Sequence, residues 1–380
     1  MNATMRSREG MALPMVLGAI TLIGTLIAGV MYLATQDFRV GANTLNEARA
    51  EEAAEYGLNR VTTDWDLSKN LTTVAGDTLR KTYTDPAGAT VNVFVTRLNG
   101  PYFWAVSEGQ TRGNSLQYGS LRRHGSLFRI NTPSVSILGA VTAAGNVKVS
   151  GNITLNGNDV TPSGWTNCPT LVNMPGSVIS PTATVSVNGS VSVSGNPPTM
   201  TSAAAADTNT YFKYGSAPGS PTYASLAALA NITIPGGTYN GMAPAVSSGT
   251  CQTGGTNNWG DPVRHVPAAA CESYFPIIHV TGDLKATNGT GQGVLLVDGD
   301  FIKAGNFSFS GLIIARGTIR SSGNGNAVTG AEMAAAIDLG DAVTLSGNVT
   351  VQYSSCTIAN ALAGSSNLMR TKGRAWVNLY

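Results

Sequence analysis

The chain has 380 residues, with 23 Lys and Arg, 21 Asp and Glu, and a formal net charge of +2. That balance singles out no class of partner and lacks the strongly basic character typical of nucleic-acid-binding domains. Residues 1–130 carry 13 basic and 11 acidic side chains, whereas residues 131–369 carry 7 and 10. The second region is rich in Gly, Asn, Ser, Thr and Val, which favours packed β structure over a disordered polyelectrolyte.

The first element along the chain is an uncharged stretch, residues 11–34, which reads MALPMVLGAITLIGTLIAGVMYLA. At about 1.5 Å per residue, a helix of this length crosses a hydrocarbon core of roughly 30 Å. Arg6 and Arg8 precede it, and Asp37 and Arg39 follow it. Basic residues before a span favour a cytoplasmic N-terminus. We therefore expect a single-pass inner-membrane protein whose later residues face the periplasm.

Three interpretations of this stretch compete. A cleaved secretory signal has an apolar run of roughly 7 to 15 residues and a small-residue cleavage site, and this run is longer and has no A-x-A site. A plain single-span anchor fits the length but gives no role to Gly10. The third interpretation resembles a type IV prepilin, with a short basic leader over residues 1–10, a glycine at the junction and an apolar helix that stays with the mature chain.

The next segment, residues 36–65, favours the third interpretation. It is rich in Ala, Glu, Arg and Leu and has no Pro, which favours helix. Apolar residues recur every three or four positions, although Glu51 and Glu52 interrupt the stripe. The sequence therefore predicts one continuous helix over residues 11–65, about 80 Å long at the standard rise.

Two motifs in this region resemble those of the PilX-type minor pilins, which take part in type IV pilus assembly. They are RSREGMAL at residues 6–13 and EAAEYGL at residues 52–58. The resemblance covers about the first 65 residues. It implies cleavage by a prepilin peptidase between Gly10 and Met11, and partners that are other pilin subunits and the pilus assembly machinery.

One position departs from the major-pilin pattern. Major pilins carry Glu at the fifth mature position, and this chain has Met15 there. A carboxylate within lipid is costly unless it is partnered, so the loss of this group removes one assembly contact. The departure favours a subunit that is used rarely, near a filament tip, over one that is repeated along the filament.

Residues 79–130 predict a small antiparallel β region. Residues 90–98 alternate in period two, Asn99-Gly100 is a strong hairpin signal, and residues 102–110 form the return strand. One face of such a sheet could cover the helix stripe. The alternative is that these strands only open the following domain.

Residues 131–369 contain short alternating strands closed by Gly-Asn, Asn-Gly or Asp-Gly, repeated in many copies: 140–159, 183–197, 293–319 and 342–355. The close spacing favours a right-handed parallel β-helix, or β-solenoid, over a sandwich. The predicted fold class is thus mainly β with a long N-terminal helix, a small antiparallel sheet and a β-helix head.

Two parts of this region depart from the repeat. Residues 197–274 are expected to be an insertion with short helical turns, and residues 370–380 are expected to be a tail that caps the solenoid. The apolar runs at 294–297 and 312–314 predict strands that are buried on both faces.

Catalytic chemistry has little support in the sequence. His124, His265 and His279 do not sit at metal-ligand spacing, and no protease, hydrolase or phosphate-loop motif is present. Asp283, Asp298 and Asp300 are the densest acids, but they occupy Gly-Asp and Asp-Gly turns. We assign no catalytic residue, metal or cofactor and expect no nucleic acid as partner, since the basic candidates, residues 122–124 and the tail, are small.

The alternative function is a membrane-tethered β-helix protein of the cell surface that binds carbohydrate or acts on polysaccharide. It follows only from the likeness of the predicted β-helix to polysaccharide lyases, and a fold alone does not establish a function.

The four cysteines are expected to face an oxidising compartment, where disulfides persist. Cys251 and Cys271 flank a loop rich in Gly and Pro that cannot hold itself by packing, so they are predicted to pair. Closing such a loop is worth roughly 3 kcal/mol in the chain-entropy model. Cys168 and Cys356 belong to early and late parts of the repeat, so they are predicted to remain unbonded to each other if coils stack in chain order.

Overall fold

The structure is a computed structural model that describes residues 12–113, 119–132, 135–166, 168–206, 223–339, 348–371 and 376–379. It divides into two compact units. Unit one comprises residues 1–64, 76–128 and 370–380, and unit two comprises residues 65–75 and 129–369.

The helices within the described residues are α1 Ala12–Thr63, α2 Lys69–Thr72, α3 Ala203–Ala206, α4 Tyr223–Ala227 and α5 Ser355–Gly364. The strands are β1 Thr78–Thr84, β2 Thr90–Arg97, β3 Tyr102–Gln110, β4 Leu121–Ile130, β5 Val141–Ala143, β6 Val147–Asn156, β7 Ser177–Ile179, β8 Val185–Ser194, β9 Thr199–Thr201, β10 Ile232–Asn240, β11 Val246–Ser247, β12 Thr250–Cys251, β13 Ile277–Val297, β14 Phe301–Ser322, β15 Asn324–Leu339, β16 Asn348–Tyr353, β17 Leu368–Arg370 and β18 Trp376–Leu379. The prediction of a long N-terminal helix followed by mainly β structure is confirmed.

In unit one, α1 runs without interruption for 52 residues and its C-terminal half packs on an antiparallel sheet. The sheet order is β1-β2-β3-β4, and β2 and β3 form the hairpin predicted at Asn99-Gly100, with Arg97 opposite Phe103. Gly100 has a φ of +66°, a conformation that glycine adopts without steric cost.

Small residues let α1 approach the sheet closely. A Cβ atom added to Gly57 would lie 2.2 Å from the Ser107 hydroxyl oxygen, and one added to Gly109 would lie 2.1 Å from the Ala50 carbonyl oxygen. Ala50, Ala53, Ala54, Leu58 and Val61 are fully buried on this helix face. The motif at residues 52–58 is therefore explained locally by the contact between the helix and the sheet.

The C-terminal tail joins this antiparallel sheet. Strands β17 and β18 both belong to the six-stranded sheet that contains β4, and β18 pairs with β4 so that Trp376 lies opposite Ser126. The prediction that residues 370–380 cap the repeat region is therefore wrong. The short alternating tail could pair with any free strand edge, and its sequence does not specify which one.

In unit two, ten strands form one parallel sheet, with the main order β10-β13-β14-β15-β16-β6-β8. The pairing registers advance by 18 and then 19 residues from strand to strand, since Val294 lies beside Leu312 and Leu312 lies beside Ala331. Strand β10 was not predicted because Pro235 and the glycines that follow it break the alternation, and the register shifts at that point.

The strands do not follow one another in chain order. The late strand β16 lies between β15 and the early strand β6, with Gln352 opposite Asn156. Early residues of the region therefore neighbour late ones.

The apolar runs are buried on both faces, as predicted. Residues 294–297 and 312–315 are fully buried, and α5 packs over β13 and β14. Gly311 permits this contact, because a Cβ atom added there would lie 3.2 Å from the Ala361 Cβ.

The structure contains two disulfides. Cys251 is bonded to Cys271 with a Cα separation of 5.0 Å, and Cys168 is bonded to Cys356 with a Cα separation of 4.4 Å. The expectation that Cys168 and Cys356 stay unbonded is wrong because it assumed that coils stack in chain order. Since β16 lies beside β6, residue 356 begins α5 next to the loop that follows β6.

Candidate functional site

The N-terminal part of α1 is the most distinctive surface of unit one. Its large apolar side chains are more than half exposed and lie on all sides of the helix: Leu13, Met15, Val16, Leu17, Ile20, Leu22, Ile23, Leu26, Ile27, Val30, Met31 and Leu33. By length and composition, α1 could cross a membrane. A helix that is apolar all round needs an apolar environment, which either a protein core or a bilayer supplies.

The few polar groups of this segment are satisfied within the helix. The Thr21 hydroxyl donates to the Leu17 carbonyl at 3.0 Å, the Thr25 hydroxyl to Leu22 at 2.9 Å and the Thr35 hydroxyl to Met31 at 2.7 Å. Such internal bonding removes the cost of placing a hydroxyl in hydrocarbon. The segment is therefore chemically suited to lipid along its length.

Beyond the uncharged stretch, α1 keeps apolar side chains on its surface. Phe38 and Val40 are each 63% exposed and Leu45 is 51% exposed, in a part of the helix that also carries Asp37 and Arg39. Phe38 and Leu45, seven positions apart, lie on the same side of the helix, whereas Val40 lies on the opposite side. From Asn46 onward, the helix becomes buried against the sheet.

Carboxylates of α1 lie next to Arg122 and His124 of strand β4. Arg122 forms an ion pair with Glu47, and the His124 Nε2 atom lies 3.7 Å from the Glu51 carboxylate. Glu51, which interrupts the predicted apolar stripe of the helix, thus lies next to a histidine. The small basic group at residues 122–124 lies against carboxylates, because Arg123 also pairs with Glu108 at 2.6 Å.

The predicted processing site lies outside the described residues. Gly10 and Met11 both precede the first described residue. Met15 lies in the exposed part of α1.

In unit two, the aspartates of the predicted Gly-Asp and Asp-Gly turns accept hydrogen bonds from residues that are distant in the chain. The Asp283 carboxylate accepts from the Asp300 backbone N–H at 2.8 Å, and the Asp300 carboxylate accepts from the Thr318 backbone N–H at 2.8 Å. The Asp298 carboxylate accepts from the Tyr223 hydroxyl at 2.8 Å. Among described residues, no group of three or more His, Cys, Asp or Glu side chains could hold a metal ion.

His265 lies in a polar cluster that closes the loop after β12. Its Nδ1 atom is 2.8 Å from the Glu272 carboxylate and 3.8 Å from Asp261. Burial would raise the pKa of Glu272, but hydrogen bonds from the backbone N–H groups of Ala269 and His265 outweigh burial and hold that pKa below its usual value. These contacts hold residues 261–272 together, and we call the group of Asp261, His265 and Glu272 the loop clasp.

Arg264 anchors the same loop. Its guanidinium lies 3.9 Å from the Trp165 ring centre and donates to the Asp261 and Glu272 carbonyls at 2.8 and 2.9 Å. The contact with Trp165 connects the loop to the region that follows β6, whereas the Asp261 and Glu272 carbonyls belong to the loop itself.

A cavity of about 700 Å³ opens in unit two beside the disulfide of Cys251. Its wall includes Trp65 and Tyr274 with several hydroxyl-bearing side chains. Trp65 Nε1 donates to the Asn70 side-chain oxygen at 2.7 Å, and the Tyr274 hydroxyl donates to the Thr253 carbonyl at 3.0 Å. Burial raises the pKa of Tyr274 to about 12, so this hydroxyl stays protonated at neutral pH. The sequence did not indicate this cavity, because its walls come from segments distant in the chain.

Comparisons with known proteins give little further information. No family model matches the sequence, and no curated protein matches it. Among solved structures, the chain is similar to the competence-associated pilin ComZ from Thermus thermophilus, with 13% identity, 88% of this chain and 97% of that chain covered, and a TM-score of 0.24. A TM-score this low supports no conclusion about fold or function.

Proposed function

We propose that this protein is a minor pilin of a type IV pilus. The observation that carries the proposal is the single helix α1, Ala12–Thr63. Its first part is exposed and apolar on all sides, and its last part is buried on an antiparallel sheet. A plain membrane anchor needs only the first part, whereas a pilin subunit needs both in one continuous helix.

Each part of the N-terminal region has a role in this proposal. The leader, residues 1–10, is removed after Gly10. Residues 11–34 hold the subunit in the inner membrane before assembly, with the leader in the cytoplasm and the rest in the periplasm. Phe38, Val40 and Leu45 then pack against helices of other pilin subunits. The absence of a carboxylate at Met15 makes the protein a sparsely used subunit.

We further propose that residues 131–369 fold as a right-handed parallel β-helix that the pilus displays outside the membrane. Two observations support it: the 18- and 19-residue register steps within β13, β14 and β15, and side-chain hydrogen bonds between equivalent positions of neighbouring strands. The Asn288 side-chain oxygen accepts from the Asn306 N–H at 3.0 Å, and the Ser308 hydroxyl donates to Thr290 at 3.2 Å. Such ladders at corners are typical of stacked coils.

A second candidate function is a tethered carbohydrate-binding protein of the cell surface. The cavity beside Cys251 favours it, since Trp65 and Tyr274 line the wall together with hydroxyl-bearing side chains. Walls of apolar and aromatic side chains with a few polar groups are typical of small-ligand sites. A thermal shift of the purified protein with oligosaccharides would support this candidate.

Filament fractionation tests the pilin proposal. We expect the protein in sheared surface pili at a low ratio to the major subunit, and we expect gene deletion to reduce surface pili or twitching. If all of the protein stays in the inner-membrane fraction and deletion changes neither readout, the proposal is wrong.

A further inference from the structure

Strand β8 lies at one end of the parallel sheet. It pairs on one side with β6 in an unbroken register from Val147 opposite Val185 to Asn156 opposite Ser194. No other described strand pairs with it. Residues 186–190 are exposed, and Val187 is 53% exposed. Among the described strands, none occupies the outer edge of β8, and residues 186–190 of that strand are exposed.

The hydrogen bonds on the β6 side of β8 identify which residues direct their backbone N–H and C=O groups to the open edge. The carbonyls of Thr184 and Ser194 accept from the backbone N–H groups of Val147 and Gly157, at 3.0 and 2.8 Å, on the side of β6. Alternate residues of a strand direct their N–H and C=O groups to opposite sides. The odd-numbered residues of β8 therefore present their backbone groups to the open edge.

Within the described residues, the open edge carries no charge, no Pro and no bulge. Proteins protect free strand edges with Lys, Pro, inward charges or bulges. Strand β8 has no Pro and no register shift, and residues 160–206 contain no Asp, Glu, Lys or Arg. An uncharged edge with an unbroken register of this kind readily pairs with another strand.

The sequence of β8 indicates which strand fits this edge. Residues 185–193 read VSVNGSVSV, which is nearly the same in both directions about Gly189. An antiparallel copy centred on Gly189 opposes Val185 to Val193 and Val187 to Val191. The remaining pairs are Ser with Ser and Asn with Ser, so every cross-strand pair matches in character.

The backbone conformation of Gly189, where β8 bends, also fits a two-fold axis at that residue. Gly189 has a φ of +101°, and its neighbour Gly151 in β6 has a φ of +100°. A copy that is centred on Gly189 places its own bend opposite this one. A shift of two residues would separate the bends, and a shift of one residue would oppose Val to Ser.

We propose that two copies of this protein associate through β8, which pairs antiparallel with itself about a two-fold axis at Gly189. The interface is isologous, with the same edge contributed by both copies. The odd-numbered residues supply the backbone hydrogen bonds, and the valines extend the apolar interior across the axis. This association does not depend on the pilin role.

Cysteine cross-linking tests the register in the full chain purified in detergent. All four native cysteines are in disulfides, so introduced thiols are the reactive ones. The register places residue 188 of one copy opposite residue 190 of the other. A mixture of Asn188→Cys and Ser190→Cys proteins should therefore form a disulfide-linked dimer under mild oxidation. The matched control, Ser190→Cys mixed with Ser192→Cys, places no two different thiols opposite each other and should link little.

A charge substitution tests the association without a cross-link. Val187→Lys places a charge in the interface and should lower the association constant at least about tenfold in light scattering, which is roughly 1.4 kcal/mol. Val246→Lys is the control, because Val246 is 51% exposed in β11. Since all these proteins share α1, contacts between membrane helices cancel in the comparison.

The expected result is a linked 188–190 dimer together with selective loss of association in Val187→Lys. The proposal is wrong if the two mixtures link equally, if no linked dimer forms, or if both lysine variants associate like the original chain. Pairing of β8 with a different protein, without the 188–190 link, would also overturn it.

Discussion

Gly57 shows at the scale of one residue how this sequence builds the contact between helix and sheet. A Cβ atom there would lie 2.2 Å from the Ser107 oxygen and 2.5 Å from a Val91 methyl carbon. The helix backbone therefore rests directly on the strand side chains. The small residues of the motif at residues 52–58 are thus explained by the close contact between this helix and the sheet.

Replacing Gly57 tests that contact. We expect Gly57→Ala to destabilise the packing of α1 on β2 and β3 by about 1–3 kcal/mol, the usual cost of overfilling a packed site. Hydrogen exchange of the β2 and β3 amides measures it. Gly41→Ala is the control, because its Cβ would meet nothing within 4 Å, and exchange there should stay unchanged. Equal protection in both variants would contradict the close approach.

A buried ion pair makes a second residue-scale prediction. Lys303 forms an ion pair with Glu332, and both side chains are fully buried. Removing one partner leaves an uncompensated charge, which typically costs 3–5 kcal/mol. We expect Glu332→Leu to lower the midpoint of thermal unfolding strongly. The double variant Lys303→Met with Glu332→Leu should recover most of the loss. If the double variant is as unstable as the single one, the pair has some other role.

The loop clasp at Glu272 predicts a dependence on pH. Because the folded-state pKa of Glu272 is lowered, its stabilising effect is present above the unfolded-state pKa, near 4.5, and is lost as pH falls through the folded-state value. The hydrogen-exchange protection factors of residues 261–272, which are corrected for the intrinsic effect of pH on exchange, should therefore fall as acid is added. Glu272→Gln should show fast exchange at neutral pH and a flatter pH profile. A profile like that of the original chain would contradict this role.

At the scale of elements, the two disulfides close loops of very different length. The Cys168–Cys356 bond spans 188 residues and the Cys251–Cys271 bond spans 20. The chain-entropy model gives about 5 kcal/mol for the first and about 3 kcal/mol for the second. We expect Cys168→Ser with Cys356→Ser to lower the unfolding midpoint more than Cys251→Ser with Cys271→Ser. The reverse order in thermal unfolding would show that local geometry outweighs loop length.

The sequence predicted local elements better than their arrangement. Asn99-Gly100 specified a hairpin by turn chemistry alone, and the continuous apolar run at 294–297 indicated burial on both faces. The order of strands depends on which edge each strand meets, and short Val-Ser-Asn strands are nearly interchangeable. The position of β16 beside β6, and with it the Cys168–Cys356 bond, therefore could not be predicted.

The candidate surface on α1 was predictable for the same reason that the hairpin was. An apolar stretch such as residues 11–34 is a local property of the sequence. The cavity beside Cys251 was not, since its wall combines segments that are distant in the chain, such as those of Trp65 and Tyr274.

At the scale of the whole molecule, the proposed function requires α1 to serve first as an anchor and then as an assembly surface. Phe38→Glu should reduce recovery of the protein in sheared pili, because the charge would face a neighbouring helix. The control Leu171→Glu changes a residue of similar exposure in unit two and should leave recovery unchanged. Equal recovery of both variants would contradict the assigned surface.

Mass analysis of the N-terminus tests the pilin assignment most directly, because a retained apolar helix behind a removed basic leader distinguishes a pilin from a plain anchor and from a secreted protein. We expect the membrane-extracted protein to begin at Met11, with an N-methyl group as the family resemblance implies. Gly10→Leu should block this processing, and Gly18→Leu should not. A chain that begins at Met1, or at any residue beyond Ala34, would contradict the account.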